Sequence, residues 1–203
     1  MAVWQRTVWC GEVSEAQIGQ DVTLNGWVNR NRDQGGIAFI DLRDRTGIVQ
    51  VAVDGSVAAD ALGVAEHVRN EFCLSVRGKV RRRPEGTENA NLGTGAFEVA
   101  ATEIEVLNAS KTPPFPISED KDVDEMLRLK YRYLDLRRPT MYEKMRLRHD
   151  VIRLIREFMY DRGFLELETP IMTKSSPEGA RDYLVPYRLE AGLFYALSQA
   201  PQQ

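Results

Sequence analysis

The sequence predicts an α+β chain: a small closed β-barrel, then a helical stretch leading into a second, incomplete sheet. Three observations carry this. Five runs before residue 108 alternate apolar and polar at period two, with one helix-spaced run between the third and fourth. A proline-rich segment, Asn108 to Pro116, divides the chain. Beyond it, apolar residues recur at helical spacing before short strand-like runs return.

The first 20 residues, with Trp4, Trp9 and the polar stretch Gly11 to Ser14, read as an extended lead-in that caps a sheet. Strand one places Val22, Leu24 and Val28 on one face. Strand two turns Ala38, Ile40 and Leu42 inward, and strand three Val49, Val51 and Val53. Gly35-Gly36 and Arg45-Thr46-Gly47 supply the turns. The outward faces carry Phe39 with Asp41 and Arg43, and Gln50 on strand three. With Arg30 and Arg32 nearby, this is a surface suited to an unstacked base and its phosphate. The plainer alternative is that Phe39 covers a barrel end.

Val57 to Val68 reads as a short helix through Val57, Ala61, Val64, Ala65 and Val68. Phe72 to Arg83 returns to period two, with Arg77, Lys79, Arg81 and Arg83 on the polar side. Five cations within residues 77–83 form the densest positive patch, or else a solvated edge strand charged against aggregation. A polar loop over 84–95 precedes the fifth strand, where Phe97 and Val99 face inward and Glu98 outward. Its apolar phase slips before Ile104, which predicts a bulge near Ala101-Thr102.

Three strands, a helix and two strands are the order of a five-stranded OB barrel, whose second and third strands face oligonucleotides. The same pattern serves an oligosaccharide binder or a protein-docking barrel. Residues 121–136 then read as one helix through Val123, Leu127, Tyr131 and Leu134, ended by Arg137-Arg138-Pro139. A second helix follows with a capping box from Thr140 to Glu143 and a stripe of Leu147, Val151, Leu154, Ile155 and Phe158. Gly163 stops it, and Phe164 to Glu168 reads as a strand closed by Thr169-Pro170. Leu184-Val185 and Phe194 to Leu197 add two further strand-like pieces.

Composition excludes some classes. The net charge of −3 argues against a bulk polycation, so nucleic-acid contact must come from a local patch. Cys10 and Cys73 lack metal-ligand spacing, and His67 and His149 lie far apart, so no metal site is expected. No apolar run reaches the roughly 18 residues of a membrane span and no signal-peptide pattern opens the chain, so the expected location is cytoplasmic with no membrane partner.

Three co-linear stretches are specific: GWVNRNRDQGGIAFIDLRDRTGIVQV, LRLKYRYLDLRR and RGFLELETPIMTKSSPEGARDYLVP. Over essentially the whole chain they resemble the N-terminal part of bacterial-type aspartyl-tRNA synthetases, of class II, subgroup b. The resemblance implies an aspartate–tRNA ligase that makes aspartyl-adenylate from aspartate and ATP with Mg2+, then esterifies tRNA-Asp. It divides the chain into an OB anticodon-binding domain (1–107), a hinge (108–139) and the start of a class II catalytic domain (140–203). Phe39 matches the aromatic that stacks on the middle anticodon base. Gln50 and Glu98 match side chains that read base edges, and Arg30, Arg32 and Gln34 lie on the same anticodon surface. Gly163, Phe164 and Pro170 fall in motif 1, which implies a homodimer interface. Glu178 and Gln202 match groups that hold the aspartate substrate. The nearest rivals are the asparaginyl and lysyl relatives. A free-standing OB-fold tRNA-binding protein is the rival from another class.

The departures matter. Where the family reads Gln-Ser-Pro-Gln, this chain has Gln199-Ala200-Pro201-Gln202. The motifs that bring arginines to ATP phosphates are absent from these 203 residues. Adenylate formation requires such cations, so the piece is expected to bind tRNA and to lack catalytic residues, bound ATP and activity of its own. In the loop after strand one, the family pattern Asn-Arg-Arg-Arg-Asp with leucine or histidine becomes Asn29-Arg30-Asn31-Arg32-Asp33-Gln34. Asn31 removes a cation, and with it one expected RNA contact. The Gln34 amide both donates and accepts, so either competing third anticodon base finds a partner. The barrel is therefore expected to prefer the aspartate over the asparagine anticodon stem-loop by less than about tenfold, or 1.4 kcal/mol. A larger ratio in a binding titration overturns that role for Gln34.

Overall fold

The computed structural model describes residues 4–118, 121–175 and 181–199, and the chain divides into two compact units, Met1–Met141 and Tyr142–Gln203. In the first, β1 (Asp21–Asp33), β2 (Ile37–Arg43), β3 (Ile48–Asp54), α1 (Ala59–Ala65), β4 (Cys73–Arg82) and β5 (Phe97–Asn108) follow in order. The strands close into a barrel of order β1-β2-β3-β5-β4. Four seams are antiparallel. The fifth, β3 to β5, is parallel and only three pairs long: Gln50 with Glu98, Val51 with Val99, Ala52 with Ala100. Period-two alternation explains the interior, where Leu24, Val28, Ile40, Leu42, Val49, Val51, Leu74 and Val76 are fully enclosed. Each such side chain contributes about 1.5–3 kcal/mol of hydrophobic stabilisation. Helix α1 adds Ala61 and Ala65 to this core. It starts at Ala59, so Val57 is exposed instead of joining the stripe.

Register shifts shape the barrel, one of them where Cys73 and Leu74 meet Asn108 and Val106. The expected bulge in β5 lies opposite Arg77 and Gly78, where the register steps from Glu103 to Ala101. Another, in β1, lies between Val28 and Arg30. There the Val28 N–H donates to the Phe72 carbonyl (2.9 Å) and the Glu71 N–H to the Val28 carbonyl (2.7 Å). Arg43 clamps the same corner, donating to Asn29 Oδ1 at 2.9 Å and to Glu71 Oε2 at 2.8 Å.

The linker is anchored as well as stiff, for Phe115 and Ile117 are buried. The single helix expected over 121–136 is two, α2 (Glu125–Lys130) and α3 (Arg132–Asp135), broken at Tyr131. The break has an electrostatic reason. Asp135 is fully buried, and Arg132 (2.5 Å), Arg138 (3.5 Å) and Arg128 (3.9 Å) converge on it. A buried carboxylate needs such partners, and the turn gathers them. Pro139 opens the long helix α4 (Pro139–Tyr160), so Thr140 sits inside the first turn and not at its N-cap.

In the second unit Gly163 adopts φ +79° and the Phe164 N–H reaches back to the Met159 carbonyl at 3.1 Å, the expected helix stop. Phe164 to Glu168 is not the expected strand: no strand among the described residues pairs with it, and Glu166 accepts two bonds from Arg156 instead. A small antiparallel sheet follows, β6 (Met172–Thr173), β7 (Leu184–Pro186) and β8 (Phe194–Leu197), in the order β6-β8-β7. The α4 stripe from Leu147 to Phe158 is exposed.

The N-terminal segment is pinned to the β2–β3 turn by Asp44. Its carboxylate accepts from the Cys10 N–H (2.7 Å), the Thr46 N–H (2.8 Å) and the Thr46 hydroxyl (2.6 Å). Burial raises its pKa, but these bonds outweigh burial and hold it below the usual carboxylate value. The Cys10 thiol, buried beside it, is pushed up. Because the folded pKa of Asp44 is depressed, its stabilisation is complete above about pH 4, the unfolded value, and is lost as pH falls through the folded one. Asp44→Asn is expected to cost about 1–3 kcal/mol in urea unfolding at pH 7, with the gap to wild type narrowing below pH 4; a gap that widens there refutes the assignment.

Candidate nucleic-acid interface

The outward face of the barrel is organised by register. Reading across β1, β2, β3, β5 and β4, one row runs Arg30, Asp41, Gln50, Glu98, Arg81. The next row runs Arg32, Phe39, Ala52, Ala100, Lys79. Strands lie about 4.8 Å apart, so the two alanines leave a shallow ledge roughly two strands wide beside the Phe39 ring. Phe39 itself is half-buried on the outward side, not in the aliphatic core.

Four residues of the first row, Asp41, Gln50, Glu98 and Arg81, form one connected network through Arg32 of the second. Arg32 Nη2 donates to Asp41 Oδ1 (2.9 Å) and to Gln50 Oε1 (3.1 Å). Gln50 Nε2 donates to Glu98 Oε2 at 2.8 Å, and Arg81 Nε to Glu98 Oε1 at 2.8 Å. Gln50 and Glu98 point outward as the sequence predicts, yet they are only 7% and 1% exposed. The network covers them, and each is held in a fixed orientation. The bulge in β1 has a consequence here. Strict alternation from Val28 turns Arg30 and Arg32 inward; the bulge reverses the parity, so they pair with Asp41 and Phe39 on the outward side.

The plainer alternative for the run 77–83, an edge strand, does not hold, since β4 pairs on both sides. Sequence reasoning missed the burial of one of its cations. Arg83, grouped there with solvated cations, is 93% buried: Nε donates to the Phe97 carbonyl at 3.1 Å, and Nη2 has no partner among the described residues. Burial lowers its pKa; nearby Glu98 and Asp41 offset this, while Arg32 adds to it. Asn31 faces away from the network. Its Nδ2 donates to the Ala65 (2.8 Å) and Val68 (3.1 Å) carbonyls at the end of α1, so replacing an arginine here does not remove an outward cation. Gln34 is exposed in the β1–β2 turn, with its N–H on the Ile37 carbonyl (2.9 Å). Glu178 and Gln202 lie outside the described residues. Gly163, Phe164 and Pro170 are exposed. Among the described residues no three His, Cys, Asp or Glu side chains come together as metal ligands.

Residues 22–107 match the family model for the OB-fold nucleic acid binding domain, and residues 124–203 that for class II tRNA synthetases (D, K and N). Among curated relatives, the aspartate–tRNA(Asp/Asn) ligases of Geobacillus sp. (strain WCH70) and Bacillus subtilis (strain 168) are 59% and 58% identical, across 97% of this chain and 33% of their own length. The aspartate–tRNA ligase of Geobacillus kaustophilus is 56% identical over 98% of this chain and 34% of its own. The chain belongs to the class II aminoacyl-tRNA synthetases.

This synthetase chain spans about a third of the length of the curated relatives it matches, which are aspartate–tRNA ligases as the sequence motifs imply. A solved asparaginyl-tRNA synthetase from Pyrococcus horikoshii, complexed with asparaginyl-adenylate, superposes with a TM-score of 0.80 at 30% identity, over 98% of this chain and 43% of that one. An Entamoeba histolytica aspartyl-tRNA synthetase shares the fold at a TM-score of 0.68 and 22% identity, covering 77% of this chain and 38% of its own. The α+β architecture with an OB barrel is thus that of the synthetase family.

Glu98 is the joint of the network. Glu98→Ala is expected to leave the buried Gln50 amide without its acceptor and to cost about 1–3 kcal/mol in urea unfolding, with Glu98→Gln closer to wild type. Equal stability of the alanine variant overturns the structural half of its role.

Proposed function

We propose that the barrel binds the anticodon loop of an aspartate tRNA, as the recognition module of an aspartate–tRNA ligase. The supporting observation is the row Arg30, Asp41, Gln50, Glu98, Arg81 beside the Phe39 ledge. It combines an aromatic for stacking, an oriented amide and carboxylate for base edges, and cations at both ends for phosphates. Phe39 stacks on the middle base; Gln50 and Glu98 read edges; Arg30, Arg32 and Gln34 contact the adjoining backbone and base; Arg83, with a free donor beside Glu98, adds a contact. The names of the relatives, which include both aspartate–tRNA ligases and aspartate–tRNA(Asp/Asn) ligases, extend the proposal to asparagine tRNA through Gln34.

In the complete protein the proposed reaction consumes aspartate and ATP with Mg2+ in a cytoplasmic homodimer. Glu178 and Gln202 hold aspartate, and Gly163, Phe164 and Pro170 lie at the dimer interface.

The test is binding of the chain to a tRNA-Asp anticodon stem-loop. Phe39→Ala is expected to weaken it by about 1–3 kcal/mol while circular dichroism shows the barrel intact. Affinity is expected to fall with salt, since each phosphate contact adds about 0.7 to the log–log slope on a single strand. A salt-independent affinity, or a Phe39→Ala variant that binds as wild type, overturns the reading.

A further inference from the structure

We propose that Asp41 is a specificity-determining residue of this face: its carboxylate restrains Arg32 and keeps phosphates off the centre of the row, so that an uncharged base edge is admitted beside Gln50. The inference rests on the anticodon-loop reading above and names a residue that reading leaves without a role.

Across the five strands the row alternates cation, carboxylate, amide, carboxylate, cation: Arg30, Asp41, Gln50, Glu98, Arg81. A face bearing Arg30, Arg32, Lys79 and Arg81 without the carboxylates would hold any phosphate backbone. The two carboxylates make the centre unfavourable to a phosphate and leave the cations at its ends available. They are not equivalent. Glu98 is covered (side chain 1% exposed) and committed to Gln50 and Arg81. The Asp41 side chain is 17% exposed, so it is the carboxylate an incoming strand meets.

Asp41 also fixes a cation. Arg32, with a side chain 39% exposed, is bound through Nη2 to both Asp41 and Gln50. Released from Asp41, that guanidinium is free to turn to a phosphate. Held there, it sets the amide of Gln50: Arg32 only donates, so it takes Oε1, and ionised Glu98 only accepts, so it takes Nε2. One N–H and one lone pair of Gln50 then remain for a base edge. Phosphate exclusion and amide orientation pass through the same carboxylate.

The experiment titrates the 203-residue chain, as wild type, Asp41→Asn and Asp41→Glu, with the tRNA-Asp anticodon stem-loop and with the same stem-loop changed at the middle anticodon base. Asp41→Asn is expected to bind the changed loop about tenfold tighter than wild type does and the cognate loop within about threefold. Its salt slope should steepen by about 0.7, one phosphate contact on a single strand. Asp41→Glu should restore the wild-type ratio and slope. Asp41→Ser, also neutral, repeats the test if the asparagine variant fails to fold by circular dichroism. If the neutral variants weaken both loops equally at unchanged slope, Asp41 is only a brace and the inference falls. A wild type that does not distinguish the loops overturns the anticodon reading itself, and this inference with it.

Discussion

The parallel seam between β3 and β5 is the constraint on which the rest depends. Three residue pairs close a barrel that otherwise runs antiparallel. Without them the backbones of β3 and β5 would each present an unpaired edge, and the enclosed Val51 and Val99 would lose their common interior. The same three pairs also build the site. Gln50 stands beside Glu98 on the outward side, Val51 beside Val99 on the inward side, Ala52 beside Ala100 outward again. Barrel closure and the proposed recognition chemistry therefore cannot be separated here: a register slip of one residue would put the amide and carboxylate into the core.

That coupling explains why the groups proposed for recognition are buried in the chain by itself. Gln50 and Glu98 face away from the aliphatic core, yet Arg32, Arg81 and Asp41 enclose them in mutual hydrogen bonds. Burying such groups without partners costs several kcal/mol, whereas a satisfied network rigidifies. On the proposed reading, the orientation a base would meet is thus fixed at folding, and little ordering is left for binding. Two donors are exceptions: Arg83 Nη2 and Arg32 Nε are buried and find no partner among the described residues.

Much of this was legible in the sequence, and the reason is periodicity. Period-two runs located all five barrel strands, and the phase slip before Ile104 located the β5 bulge, because one-sided burial leaves a strong alternating signal. What failed lacked such a signal. The stripe Val123, Leu127, Tyr131, Leu134 is helical in spacing, yet the convergence of three arginines on Asp135 breaks the helix at Tyr131, a long-range demand no local pattern carries. Phe164 to Glu168 alternates like a strand, but a strand exists only with a partner, and Glu166 is engaged by Arg156 instead. Arg83 reads as one more solvated cation, since its burial is set by its surroundings in the fold, not by its neighbours in sequence.

The β1 bulge shows the same division most sharply. From sequence, Arg30, Asn31 and Arg32 are three polar residues at the end of a strand, and counting from Val28 puts the two arginines inward. The structure reverses that count because Asn29 is extruded. The extrusion is stapled from outside β1: Arg43 bonds Asn29 and Glu71, and Glu71, at φ +67°, bonds the Val28 carbonyl through its own N–H. A non-glycine residue in the left-handed region carries a conformational cost, offset here by holding the bulge. Parity also settles Asn31. With Arg30 and Arg32 turned outward, residue 31 must turn to the helix side, where its amide donates to the Ala65 carbonyl that ends α1 and to the Val68 carbonyl just beyond it. A donor there satisfies groups that every helix end leaves open, so either asparagine or arginine meets the requirement, through a neutral amide or through a cation favoured by the helix dipole. What the position demands is an N–H facing α1, and the exchange of arginine for asparagine leaves the charge of the recognition face as it was.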